Sequence, residues 1–321
     1  MILITGAAGF IGSYVASGLY KAGYNKLLLS DDFSREAQKA NYASLANQEF
    51  VDRKDLVERL DEWGRKTSYV IHLGARTDTA EQDWKIFQNL NISFSQAIWN
   101  FCVKHQVPLI YASSAATYGD GSLGFSDQLD LIPQLKPLNP YGQSKQDFDL
   151  WALEQEQQPP QWAGLKFFNV YGPNEYHKGR MASVILHAHK QILETGKLRL
   201  FRSHKEGYAD GEQKRDFIYV KDILDVILFL MKQENLGDIF NLGCGQARSF
   251  NELASAIFQA MEKERVIEYF DTPVDIRDSY QYFTQADMGK LREAGYDKAF
   301  TRLEEGVFDY VRGFLTEKNY F

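Results

Sequence analysis

The chain opens on Met1-Ile-Leu-Ile-Thr5, a short apolar run of strand formers. It breaks at once into Gly6-Ala-Ala-Gly9-Phe10-Ile11-Gly12 and then into an amphipathic stretch ending near Gly23. This order of strand, glycine-rich turn and helix restricts the architecture more than any other feature, because it is the local context of a dinucleotide site. Gly6 permits the tight turn, Gly9 lets backbone approach a pyrophosphate, and Gly12 lets the helix pack closely on the strand. Phe10 and Ile11 lie between the last two glycines. The helix N-terminus then presents N–H groups and a positive dipole end to the phosphates.

The second strand signal, Lys26–Ser30, ends in Asp31 and Asp32. An acid about 20 residues beyond the glycines holds the adenosine ribose hydroxyls, which favours NAD. Arg35, Lys39, Arg53 and Lys54 follow closely and could neutralise a 2′-phosphate, so both NADP and NAD remain open. Val70 to Ala75 reads as the fourth strand. Its end, Leu73-Gly74-Ala75-Arg76-Thr77, should line the cleft, since ligands bind outside the carboxyl ends of such strands. His72 reads as a packed residue, and Asn91 as a polar anchor for backbone near the site.

Strand signals recur at 1–5, 26–30, 48–51, 69–73, 108–112 and 165–169, separated by helical pattern. That rhythm predicts an α/β fold with a doubly wound parallel sheet. After Gly172-Pro173 helical pattern dominates, with short strand signals at 198–201 and 238–242. Residues 1–172 are therefore expected to form the dinucleotide-binding domain. Residues 173–321 should form a smaller, mixed substrate-binding lobe, with some chain crossing back. A length of 321 residues and 44% hydrophobic content suffice for such a core.

Net charge of −7 gives no reason to expect nucleic acid or a membrane surface as partner. No apolar run reaches transmembrane length, and no targeting segment is expected before the first strand. Cys102 and Cys244 lack metal-ligand spacing and read as reduced packing residues of a cytoplasmic protein, with no metal site expected.

The chemistry is expected around Tyr141-Gly-Gln-Ser-Lys145. Four residues apart, the two side chains share one helix face. A phenol titrates near pH 10, and a neighbouring ammonium is expected to lower that value toward a working base. Leu109-Ile-Tyr-Ala-Ser113-Ser114 follows a buried strand. It brings the Ser114 hydroxyl over the cleft, where it can donate to a substrate oxygen while Tyr141 moves the proton.

With Ser114 to Gly119, the Tyr141/Lys145 pair and Arg215-Asp-Phe-Ile-Tyr-Val-Lys-Asp222 added to the glycine turn, the chain resembles the extended short-chain dehydrogenase/reductases acting on nucleotide sugars. Phe167 to Pro173, His177 to Val184 and Phe283 to Asp287 narrow the likeness to the ADP-L-glycero-D-manno-heptose 6-epimerase family. The resemblance implies a Rossmann-type sheet, a bound NADP, and an ADP-heptose substrate inverted at C6 through a 6-keto intermediate. It implies that Tyr141 is one acid–base group and Lys178 a second. Lys145 would hold the nicotinamide ribose, and Val170 would join the cofactor positions. It further implies substrate contacts at Ser114, Asn169, Arg180, His187, Phe201, Arg215 and Tyr280. A homo-oligomer, a pentamer by that resemblance, is implied as well. A UDP-hexose 4-epimerase is the alternative of the same architecture, one that offers no role for Lys178.

Overall fold

The computed structural model describes residues 1–277 and 280–321. Seven strands pair in the order β10-β6-β5-β4-β1-β2-β3. They are β1 (Ile2–Thr5), β2 (Leu27–Asp31), β3 (Glu49–Asp52), β4 (Tyr69–His72), β5 (Leu109–Ser114), β6 (Trp162–Phe167) and β10 (Gly237–Leu242). Every pairing is parallel. Parallel strands need crossovers, which cover both faces of the sheet, so the central strands are buried and mostly apolar, with polar residues gathered toward their carboxyl ends.

Alternation along each strand divides the side chains between two cores. Ile2 and Ile4 join Tyr14, Val15 and Leu19 of α1 (Phe10–Lys21). Leu3 joins Ile98 and Trp99 of α2 (Phe94–His105) and Phe148 of α3 (Pro140–Leu153). Each such fully buried large side chain contributes about 1.5–3 kcal/mol relative to exposure.

Past Pro173 the chain builds α4 (Val184–Thr195), α5 (Val220–Leu230), α6 (Phe250–Ala260) and α7 (Leu303–Tyr310), and it returns β10 to the edge of the main sheet beside β6. Two small sheets complete the fold. β7 (Asn169–Tyr171) lies parallel to β9 (Lys214–Tyr219), which pairs antiparallel with β11 (Ala247–Ser249). β8 (Leu198–Phe201) pairs with β12 (Ile267–Phe270). Among the described residues no helix is long and apolar enough to cross a membrane. Cys102 is buried, Cys244 is half-buried, and both are free thiols.

Two expectations are corrected. The strand expected at 165–169 starts three residues earlier and breaks at Phe168, where Asn169 begins another sheet. Its start is masked by Ala163-Gly164, a poor strand sequence. Gly164 is accommodated because a Cβ there would meet the Tyr111 ring at 2.5 Å, so the aromatic occupies that space. The predominance of helix expected after residue 173 overlooks β9, β11 and β12, short strands whose partners lie far away in sequence.

Sheet order reverses between β1 and β4. The crevice outside their carboxyl ends is the place where this topology binds ligands.

Candidate active site

The glycine turn is built by close approach. Gly6 has φ +69°, and a Cβ there would come within 2.7 Å of the Gly74 backbone; a Cβ on Gly12 would fall 2.0 Å from the Gly6 carbonyl. Gly9 begins α1, and no side chain caps it, which leaves first-turn N–H groups for an anion. A crevice of about 280 Å³ lies here, lined by Gly6, Gly9, Phe10, Ile11, Gly12, Asp31 and the run Leu73 to Thr77.

Asp31 Oδ2 accepts from the Ala8 N–H at 2.9 Å, which fixes its carboxylate at the rim. Ser30 Oγ and Gln38 Oε1 line the same crevice, buried and without a hydrogen-bond partner. Buried polar atoms of this kind call for a polar ligand, and the ribose and phosphates of a dinucleotide fit that need.

The basic side chains sort differently from the expectation. Arg35 and Arg53 line the crevice; Lys39 and Lys54 do not. The segment Glu36–Leu45 folds as a 3₁₀ stretch that leaves Lys39 exposed and paired with Glu36 at 2.6 Å. Lys54 is exposed in the turn that Asp52 caps. Asp32 also stays outside the lining: it holds the Ser34 hydroxyl at 2.5 Å and pairs with Arg35 at 3.4 Å.

Behind the crevice, Asn91 is fully buried. Its Oδ1 accepts from the Arg76 N–H at 2.7 Å, and its Nδ2 donates to the Arg76 carbonyl at 2.9 Å and to Ser144 Oγ at 2.8 Å. It anchors the loop after β4 onto α3. His72 is packed as expected, between Thr5 Oγ1 at 2.7 Å and Ser95 Oγ at 2.9 Å. Burial lowers it to about 3, so it stays neutral.

A second cavity, of about 800 Å³, shares Phe10, Ile11, Leu73, Ala75, Thr77, Lys178 and Met181 with the crevice, so the two are continuous. Ser114, Tyr141, Lys145, Asn169, Val170, Lys178, Arg215 and Tyr280 all line it. Tyr141 and Lys145 reach it from α3, whose first turn is capped by Asn139 accepting from the Gly142 N–H at 2.8 Å. Lys145 Nζ donates to the Ala112 carbonyl at 2.8 Å, and burial lowers it to about 8. Ser114 Oγ, at the end of β5, accepts from the Ala116 N–H at 3.1 Å.

The expected lowering of the Tyr141 phenol by Lys145 is not what the structure shows. Burial raises it above its ordinary value, and the neighbouring Ser114 hydroxyl is what acts in the opposite direction. Desolvation of the phenolate is the larger effect, and the Asp149 carboxylate adds to it.

Lys178 enters from another side, on the short segment Tyr176–Met181, kinked at Gly179. Burial lowers its ammonium, and Glu175 opposes the shift. The segment is fastened at both ends. His177 Nδ1 lies 3.0 Å from Asn41 Nδ2, and Arg180 pairs with Asp78 at 2.8 Å. Arg180 is thus exposed and engaged with Asp78, and among the described residues it stands outside the lining of both the crevice and the cavity. His187 is likewise exposed on α4 and apart from the cavities, because it falls on the solvent side of a helix that buries Leu186 and Ala188.

Phe201 lies in an adjoining hollow of about 270 Å³, shared with Arg215 and Tyr280. The Arg215 guanidinium sits 5.3 Å from the Tyr280 ring and donates to the Gln281 and Lys214 carbonyls. Gln281, Glu175 and Met181 line the site without having been anticipated. No local motif marks them, since only the return of distant loops brings them there.

The sequence profile of the NAD dependent epimerase/dehydratase family matches residues 2–243. A Fusobacterium nucleatum protein named ADP-L-glycero-D-manno-heptose-6-epimerase is 44% identical, with 99% of each chain covered. A protein of the same name from Nitratidesulfovibrio vulgaris is 46% identical, with 98% of each covered. The crystal structure of Helicobacter pylori ADP-L-glycero-D-manno-heptose-6-epimerase is similar at a TM-score of 0.83 and 27% identity, covering 97% of this chain and 95% of that one. On that profile match and these relatives, the chain, whose crevice at the glycine turn runs into the cavity of Tyr141 and Lys145, belongs to the NAD dependent epimerase/dehydratase family.

Proposed function

We propose that this protein inverts C6 of the heptose of ADP-D-glycero-D-manno-heptose, giving the L-glycero isomer, with NADP as its cofactor. The observation that carries this reading is that Tyr141 and Lys178, from separate elements, line one cavity continuous with the dinucleotide crevice. When bound, the nicotinamide supplies reversible acceptance of a hydride. Loss of hydride from C6 and of the hydroxyl proton would leave a ketone; return of hydride to the opposite face of C6 and of a proton to the oxygen would leave the sugar inverted with no net oxidation.

Tyr141 takes or returns the hydroxyl proton, and Ser114 donates to the same oxygen. Lys145 holds the ribose side and keeps positive charge near the phenol. Lys178 serves the other presentation of the sugar. Its ammonium, depressed by burial, suits a lysine that must both give and take a proton. Arg215, flanked by Tyr280 and Phe201, provides a planar cation for the diphosphate and aromatic faces for the base.

The preference for NADP rests on Arg35 and Arg53. Both line the crevice beside Asp31, where a 2′-phosphate would meet guanidinium groups.

The test is incubation with ADP-D-glycero-D-manno-heptose, and separately with UDP-galactose, followed by NMR of the sugar protons. Inversion at C6 of the heptose alone is expected. Conversion of UDP-galactose alone would replace the heptose reading by a hexose 4-epimerase.

A further inference from the structure

Behind the catalytic face of α3 lies an ion pair that the reaction above does not use. Lys166, on β6, sits opposite Ser113 of β5 in the strand register. Its Nζ donates to Asp149 Oδ2 at 2.6 Å and to Thr117 Oγ1 at 2.9 Å. The same carboxylate accepts from the Ser113 hydroxyl at 2.6 Å and from the Tyr111 phenol at 3.1 Å. Both members of the pair are 0% exposed.

A buried ion pair is a weak source of stability, because desolvation offsets the attraction and apolar residues of similar volume do as well. Its placement supplies another reason. Asp149 follows Lys145 by four residues and Tyr141 by eight, so the three share one face of α3. Ser113 directly precedes Ser114. One carboxylate therefore joins the strand end carrying Ser114 to the helix face carrying Tyr141 and Lys145. Lys166 completes the junction from the next strand and, through Thr117, holds the turn that follows Ser114.

We propose that Asp149 and Lys166 are positioning residues for the proton transfer at Tyr141, locking Ser114 against the Tyr141/Lys145 face and balancing the buried charge behind it. The inference rests on the reading of Tyr141 as the acid–base group. The ionisable groups around the pair are Tyr111 from β5, Lys145 on α3 and Tyr118, whose ring lies 5.5 Å from Lys166 Nζ. Those sharing the cavity with Tyr141 are Lys145 on its own helix and Glu175, Lys178, Arg215 and Tyr280 from other elements, and Asp149 acts on the phenol through its charge.

The test compares Asp149→Asn, Lys166→Met and the doubly apolar Asp149→Leu/Lys166→Met with the parent, reading kcat, KM, cofactor retention and the pH dependence of kcat. Misplacing Ser114 relative to Tyr141 should lower kcat about ten-fold or more, with little change in KM. Asp149→Asn leaves an uncompensated cation and should move the acidic limb of the profile to lower pH. Lys166→Met leaves an uncompensated anion and should move it to higher pH. The double variant removes both charges of the pair together. It should fold even if the single variants do not, and it should still lose kcat because Ser113 loses its acceptor.

An unchanged kcat in the folded double variant, or a uniform fall in the singles with an unmoved limb, would overturn the proposal. A Tyr141→Phe control separates the two readings. If that protein is active, the acid–base assignment itself fails. If it is inactive while the buried pair can be replaced freely, only the positioning role fails.

Discussion

At the scale of single residues, the site is a set of groups whose environments push them away from their ordinary behaviour. Tyr141 is raised by burial and Lys178 lowered, which draws a phenol and an ammonium into a desolvated place where each depends on its neighbours. Tyr141→Phe should retain cofactor and lose about 100-fold or more in kcat, checked by turnover and cofactor absorbance on the same preparation. Lys178→Met should stop inversion while hydride removal from one face persists, read as passage of label from C6-deuterated substrate to the enzyme-bound cofactor. Epimerisation at a comparable rate would remove the two-base assignment. The arginines of the crevice give a binding prediction. Arg35→Ala should weaken NADP about ten-fold and leave NAD nearly unchanged, by titration of intrinsic fluorescence. The sequence placed four bases near the adenosine side; their choice was not legible, because it depends on how the 3₁₀ stretch after Arg35 turns Lys39 outward.

At the scale of elements, α3 carries the chemistry and its first turn holds the phenol. Asn139 caps that turn and Pro140 opens it, so Tyr141 sits where an uncapped helix would fray. Asn139→Ala should cost about 1 kcal/mol in denaturant unfolding and lower kcat more than KM, with Asn139→Asp restoring most of both. The spacing of Tyr141 and Lys145 was readable as one helix face, and the structure bears that out. What the spacing missed was the sign of the effect on the phenol. Burial outweighs the hydrogen bond from the Ser114 hydroxyl, and Lys145 is tied to the Ala112 carbonyl. Arg180 shows a related failure. Its place in the segment suggested a substrate contact, while Asp78, about a hundred residues away in sequence, claims its guanidinium.

At the scale of the whole molecule, buried carboxyls link the fold to pH. Glu175 lies behind the Lys178 segment and accepts from the Ser183 N–H and hydroxyl at 2.5 and 2.6 Å. Burial raises its carboxyl above the ordinary range, so the folded protein holds this proton more tightly than the unfolded chain does. That contribution is full below the unfolded value, about 4.3, and is lost as pH rises through the raised folded value. Glu175→Gln should therefore flatten the dependence of Tm on pH across that window, measured by calorimetry in steps from acid to neutral pH.

The sequence by itself determined the parallel sheet and the glycine crevice. Apolar strand runs, glycines and turn spacing act within about thirty residues, and local sterics decide them. It also placed Tyr141 with Lys145 and marked Ser114, for the same reason. Only the tertiary structure decided that Gly237–Leu242 returns to the main sheet, that β9, β11 and β12 exist, and that Arg35 and Arg53 line the crevice in place of Lys39 and Lys54. Only it brought Lys178 to the cavity of Tyr141 and left His187 in solvent. Those outcomes depend on contacts between segments separated in sequence by other elements, and on which group gives up its water, which no local pattern encodes.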